Sequence, residues 1–119
     1  MNTVNLKDKF SLIPNYWKPT IIGEVNDCFV KAVKFKGDFI WHHHENEDEL
    51  FLVVKGRFRM KFRTHEATIN EGEFVVVPRG VEHCPVADEE VHVILIEPKS
   101  TLNTGNITNE RTVAQLERL

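Results

Sequence analysis

The sequence predicts an all-β domain with a short helical arm at each end, and three observations point there. Apolar residues recur at every second position, most cleanly from Arg57 to Arg63, where Phe58, Met60 and Phe62 share one face. Other runs, such as Leu50 to Val54 and Phe74 to Val77, are apolar on both faces and lie between turn residues. Helical spacing is confined to the ends of the chain, as in Leu6, Phe10 and Ile13. At 119 residues the chain has room for one core. We divide it into an arm over residues 1–19, a barrel over about 20–98 and a tail over 99–119.

The elements follow in order. Asn5 to Ile13 reads as a short helix that Pro14 ends, with Tyr16 and Trp17 anchoring the arm on the core. Thr20 to Glu24 is a first strand, and Val25-Asn26-Asp27 a turn. Cys28 to Lys36 is a second strand whose imperfect alternation suggests a bulge. Its lysines, Lys31, Lys34 and Lys36, read as surface side chains with snorkelling stems; one of them turned inward would meet an anionic ligand. Leu50 to Val54 places Phe51 and Val53 on the inner face with Glu49. Arg57 to Arg63 carries a basic outer stripe. Thr64-His65 and Asn70-Glu71-Gly72 are turns around a strand from Glu66 to Ile69. Asp88-Glu89-Glu90 reads as another turn before a strand from Val91 to Glu97. Ser100 to Asn109 is polar and reads as a surface tail, with a lid over the barrel mouth as the other option. Thr112 to Leu119 reads as a last short helix with Val113 and Leu116 on its buried side.

The stretch Gly37 to Gly56 carries the chemistry. His42 and His44 lie two apart on an extended segment and share a face, while His43 faces away. Glu49 opens the next strand and meets the two histidines if that strand pairs with theirs. Neutral imidazoles and a carboxylate suit one divalent transition metal: Fe, Mn, Ni, Zn or Cu. A second stretch, Gly72 to His83, adds a tight Pro78-Arg79-Gly80 turn and His83 as a fourth ligand.

These two stretches resemble the paired motifs of the cupin family. Gly37, His42, His44, Glu49 and Gly56 follow the first motif, although the Gly37–His42 spacer is one residue short. Gly72, Pro78, Gly80 and His83 follow the second. Ala87 stands where the family often has Asn, so no role is carried to it. The resemblance implies a double-stranded β-helix, or jelly-roll barrel, with His42, His44, Glu49 and His83 round one metal. It also implies a small-molecule ligand or substrate. Leu50, Leu52 and Val54 need an outer cover, from the chain's own arms or from a second subunit; the resemblance to small cupins favours a homodimer.

Composition narrows the rest. A net charge of -3 gives no basic footprint for nucleic acid. No apolar run approaches the roughly 20 residues that span a bilayer, and Met1 to Asn5 lacks a basic leader. With Cys28 and Cys84 as the whole thiol complement, a disulfide framework is not expected, and a cytoplasmic location fits. Alternation turns Cys84 away from His83, so it reads as a structural thiol. For function, a metalloenzyme acting on a small oxygenated molecule leads, with a dioxygenase ahead of an isomerase or lyase. A non-catalytic binding module with a structural metal is the alternative. Glu82, the strand lysines, Tyr16 and His92 are the candidates for an acid or base, and nothing in the spacing singles one out.

Overall fold

A computed structural model describes residues 1–119. The strands are β1 (Thr20–Val25), β2 (Cys28–Asp38), β3 (Glu49–Lys55), β4 (Arg57–Phe62), β5 (Glu66–Asn70), β6 (Phe74–Val77) and β7 (His83–Pro98), after one helix, α1 (Leu6–Ser11). All pair antiparallel, in the order β1-β2-β7-β3-β6, with β4 joining β5 to β7. The result is the jelly-roll barrel. No helix is long and apolar enough to cross a membrane.

β7 organises the barrel. Its first half pairs with β4, from Phe62↔His83 to Arg59↔Val86; its second half pairs with β3, from Lys55↔His92 to Leu50↔Ile96. The expected turn at Asp88-Glu89-Glu90 is absent, because β7 runs unbroken for 16 residues. Those three residues form a bulge instead: β2 pairs Phe35 with Val91 and Gly37 with Ala87, leaving Lys36 opposite all three. Strands that switch sheets bend in this way. The acidic side chains stay in solvent, where Asp88 meets Arg59 at 3.2 Å and Glu90 accepts from the Tyr16 hydroxyl at 2.8 Å.

The inward faces make the core. Phe51, Val53, Phe58, Met60, Ile69, Val77, Val91, Val93 and Leu95 are buried with Val33 and Phe35 of β2. Trp17 closes this cluster with φ 62°, a strained value for a bulky residue. Its ring stacks on Phe35 and Phe39 at 4.3 and 4.9 Å, and its indole N–H donates to the Lys36 carbonyl at 2.9 Å. Those contacts hold the strained turn.

The N-terminal arm supplies an outer cover. Phe10 and Ile13 pack with Ile22, Ala32 and Ile94, and Leu52 and Val54 lie against this second cluster. The Asn5 side chain caps α1 by accepting from the Asp8 N–H at 3.0 Å. A helix of 6 residues has little stability of its own, so this packing maintains it.

The expected C-terminal helix does not form. Its backbone pairs with the free edge of β1: the Ile21 N–H donates to Glu117 O at 2.9 Å, and the Leu119 N–H to Ile21 O at 3.0 Å. A sheet edge offers ready hydrogen-bond partners, whereas so short a helix is marginal in water.

Candidate metal centre

His42, His44, Glu49 and His83 converge inside the barrel, all buried, with one ligand atom from each lying within 4.8 Å of the others. Three local features bring them there. Glu49 opens β3 on the inward face that continues through Phe51 and Val53. His83 opens β7 after the Pro78–Gly80 turn. His42 bridges His83 by two backbone bonds, donating to His83 O at 3.1 Å and accepting at His42 O at 2.9 Å. The histidine segment therefore reaches Glu49 by way of β7. It does not pair with β3, as the sequence suggested, and His42 is its one bridged residue.

The histidines are oriented from behind. His42 Nδ1 lies 2.9 Å from the Ile40 carbonyl, and His83 Nδ1 lies 2.9 Å from that of Val81. A carbonyl only accepts, so each Nδ1 carries the proton and each Nε2 presents a lone pair. Glu49 Oε1 lies 2.7 Å from His44 Nε2 and 3.2 Å from His83 Nε2. These approaches are not aligned as hydrogen bonds, for Glu49 Oε1, both His44 nitrogens and His83 Nε2 all remain without a partner. Buried lone pairs aimed at one another are costly without a cation or proton between them. The donor set and its orphaned atoms fit a divalent transition metal.

Electrostatics agree with that fit. Burial first, and the neighbouring His83 second, push His42 down to about 4, which keeps its imidazole neutral and able to ligate. Burial tends to raise Glu49, but the close polar side chains of Glu97, His44 and His83 outweigh it and hold it well below the usual carboxylate range.

Glu97 is the residue that the sequence reading missed. It lines a cavity of about 30 Å³ together with His42, Glu49, Phe51, Trp17 and Asn103. Burial, then the charge of Glu49, raises its pKa well above the ordinary value. Lys31 also differs from expectation. Rather than snorkelling outward it is 1% exposed, and its ammonium lies 2.6 Å from Glu97 Oε1. The signal for Glu97 was available: Val91, Val93 and Leu95 define the inward face of β7, and Glu97 continues it.

The other acid–base candidates lie elsewhere. Glu82 is exposed and pairs with Arg63 at 3.0 Å. His92 stacks on Phe10 outside the barrel, and Lys34 donates to Ile13 O. His43 turns away from the cluster toward Glu45, and His65 is exposed. Cys84 is buried, and burial raises its thiol pKa, as suits a structural role.

The polar stretch after Pro98 covers the histidine segment and is not the free surface tail expected. The Asn106 N–H donates to His43 O at 3.0 Å, and the His43 N–H donates to Asn106 Oδ1 at 2.9 Å. Gly105 lies so close that a β-carbon there would run into the His43 carbonyl. Thr104 is fully buried and donates to Ile107 O at 2.6 Å. Asn103 ties the cover to the end of the chain, donating to Arg111 O and accepting from the Val113 N–H, each at 2.8 Å.

With this geometry in view, comparison with known proteins is informative. The family model for the cupin domain matches residues 31–97, a stretch that includes Lys31, all four clustered side chains and Glu97. A cupin-2 domain containing protein from Shewanella frigidimarina NCIMB 400 is 44% identical, with a TM-score of 0.80 over 82% of this chain and 95% of that one. Protein NMB1881 from Neisseria meningitidis is 35% identical, with a TM-score of 0.76 over 82% of this chain and 100% of that one. The uncharacterized protein YdbB of Bacillus subtilis is 38% identical over 63 residues, which are 52% of this chain and 56% of YdbB. The match thus spans little more than half the length of that curated relative.

Proposed function

This chain belongs to the cupin family, and on that premise we propose that it is a metal-dependent cupin acting on a small oxygenated molecule. His42, His44, Glu49 and His83 hold one divalent transition metal. The observation that carries this is the set of buried, mutually facing ligand atoms with no hydrogen-bond partner. An ion bound there supplies Lewis-acid polarisation of a ligand oxygen, which suits isomerase or lyase chemistry, or, if it is iron, dioxygen chemistry. The chain's own contribution is a dry pocket. Phe35, Phe39, Phe51 and Leu95 exclude water, and Trp17 and Asn103 complete the lining.

Elemental analysis of untagged protein purified without chelators tests this. About one metal ion per chain is expected, with His42→Ala and His83→Ala each losing it together with any turnover. A wild-type chain that is empty and refuses added metal overturns the site. Iron as the native ion favours a dioxygenase.

A second reading has one observation in its favour. The cavity is small and covered by the C-terminal stretch, as suits a binding module in which the metal is a structural pin. That module would lose thermal stability on chelation and turn over nothing in a broad substrate screen.

We also infer a homodimer, in a cytoplasm that keeps Cys28 and Cys84 reduced. The N-terminal arm covers Leu52 and Val54, but Phe74, Val76 and Ile96 remain 62%, 47% and 38% exposed on the adjoining outer face. Light scattering should give about twice 13.8 kDa, and a clean monomer refutes the dimer.

A further inference from the structure

The four clustered side chains do not exhaust the buried polar groups of the barrel. Lys31 and Glu97 are each 1% exposed and joined at 2.6 Å. Such a pair is weak evidence of stabilisation, because desolvating two charges costs about as much as their attraction returns, and an apolar pair of similar volume serves the fold as well. Its placement is more informative. β3 and β7 pair Leu50 with Ile96, which sets Glu49 directly opposite Glu97 on the inward face. The two carboxyl groups are both buried there, at 4% and 1% exposure. They also line the same cavity as His42.

Glu97 is itself anchored. Its Oε1 is taken by Lys31, and its Oε2 is buried without a partner. Glu49 Oε1 faces His44 and His83. Across the β3–β7 ladder, the polar residue opposite Glu49 is Glu97.

We propose that Glu97, fixed by Lys31, is a positioning residue for Glu49: it sets the angle at which the Glu49 carboxylate faces His44 and His83. This rests on the metal-site reading above and extends it to two residues outside the four-residue cluster. Lys31, donating to Glu97 Oε1 at 2.6 Å, keeps Glu97 in place without a path to solvent.

The test replaces the pair by carbon. K31M/E97M leaves no unpaired buried charge, so the barrel is expected to fold. Titration with Co²⁺, followed by calorimetry and by the visible d–d bands, reads affinity and ligand geometry without any assay of turnover. The variant should keep a stoichiometry of one but bind roughly 10–100-fold more weakly, the usual effect of removing a group that orients a ligand, and its bands should shift. E97Q, which can still accept from Lys31 and donate to Glu49, should recover most of the affinity and the wild-type bands. Binding by K31M/E97M within about threefold of wild type, with unchanged bands, overturns the proposal, as does an E97Q no better than the double variant. Should K31M/E97M fail to fold, K31M/E97Q takes its place: loss of about tenfold supports the anchor, and wild-type affinity refutes it. A wild-type chain that binds no Co²⁺ defeats the metal site itself, whereas tight wild-type binding with indifferent variants defeats only the role of Glu97.

Discussion

The interior of this barrel has two regions that are equally dry and differently filled. Around the bend of β7, Val53, Phe58, Ile69 and Val91 fill the space with carbon, and each is nearly or wholly inaccessible. Where the two ends of β7 come together, His83 and Glu97 join His44 and Glu49 at similar burial, yet five of their polar atoms have no hydrogen-bond partner. The first region lowers the free energy of the fold by taking apolar surface out of water. The second raises it, because its desolvated polar groups are uncompensated. Burial alone therefore says nothing about role; the state of the buried polar atoms separates scaffold from site.

The largest expected effect lies in the apolar region. Phe58→Ala should cost about 3–5 kcal/mol of unfolding free energy, the usual range for emptying a packed aromatic position. Denaturant unfolding should show the same loss with and without chelator, since no ligand atom is touched. A loss that depends on metal would mean that the two regions are coupled through the core, and the division drawn above would fail.

The same division explains what was legible in the sequence. Elements governed by local alternation were plain: Phe58 and Met60 inward, Phe51 and Val53 inward, and the turns at Asn26 and Gly72. The convergence of His42, His44, Glu49 and His83 followed from motif spacing, although the partner strand was misassigned, because strand order is set by long-range pairing that spacing does not encode. Asp88-Glu89-Glu90 looked like a turn because charge and exposure accompany both turns and bulges; the difference lies in Lys36 across the ladder. Lys31 was read outward because a lysine is rarely buried without a partner, and its partner is 66 residues away. The C-terminal cover was hidden for a related reason. Asn103, Thr104 and Asn106 are ordinary loop residues until the histidine backbone is set beside them.

A smaller effect sharpens the contrast, because only the polar region should make stability depend on pH. In the metal-free protein His42 is pushed from 6.5 to about 4 by burial and by His83. Between those values the unfolded chain binds a proton that the folded chain refuses, so the stability present above 6.5 is lost as pH falls toward 4, by on the order of 3 kcal/mol. Glu97 acts with the opposite sign. Its folded pKa is raised well above 4.5, so its contribution is fully present below that value and is lost as pH rises. Above 4.5 the two trends oppose each other in the wild-type chain. E97Q removes the second, so metal-free E97Q should lose stability more steeply than wild type as the buffer is acidified from 6.5 toward 4. Equal slopes for the two proteins, measured by denaturant unfolding in chelator, would mean that Glu97 does not titrate differently on folding. A flat profile in E97Q would further show that His42 is not held neutral by its surroundings, and the contrast between the two interiors would then rest on geometry alone.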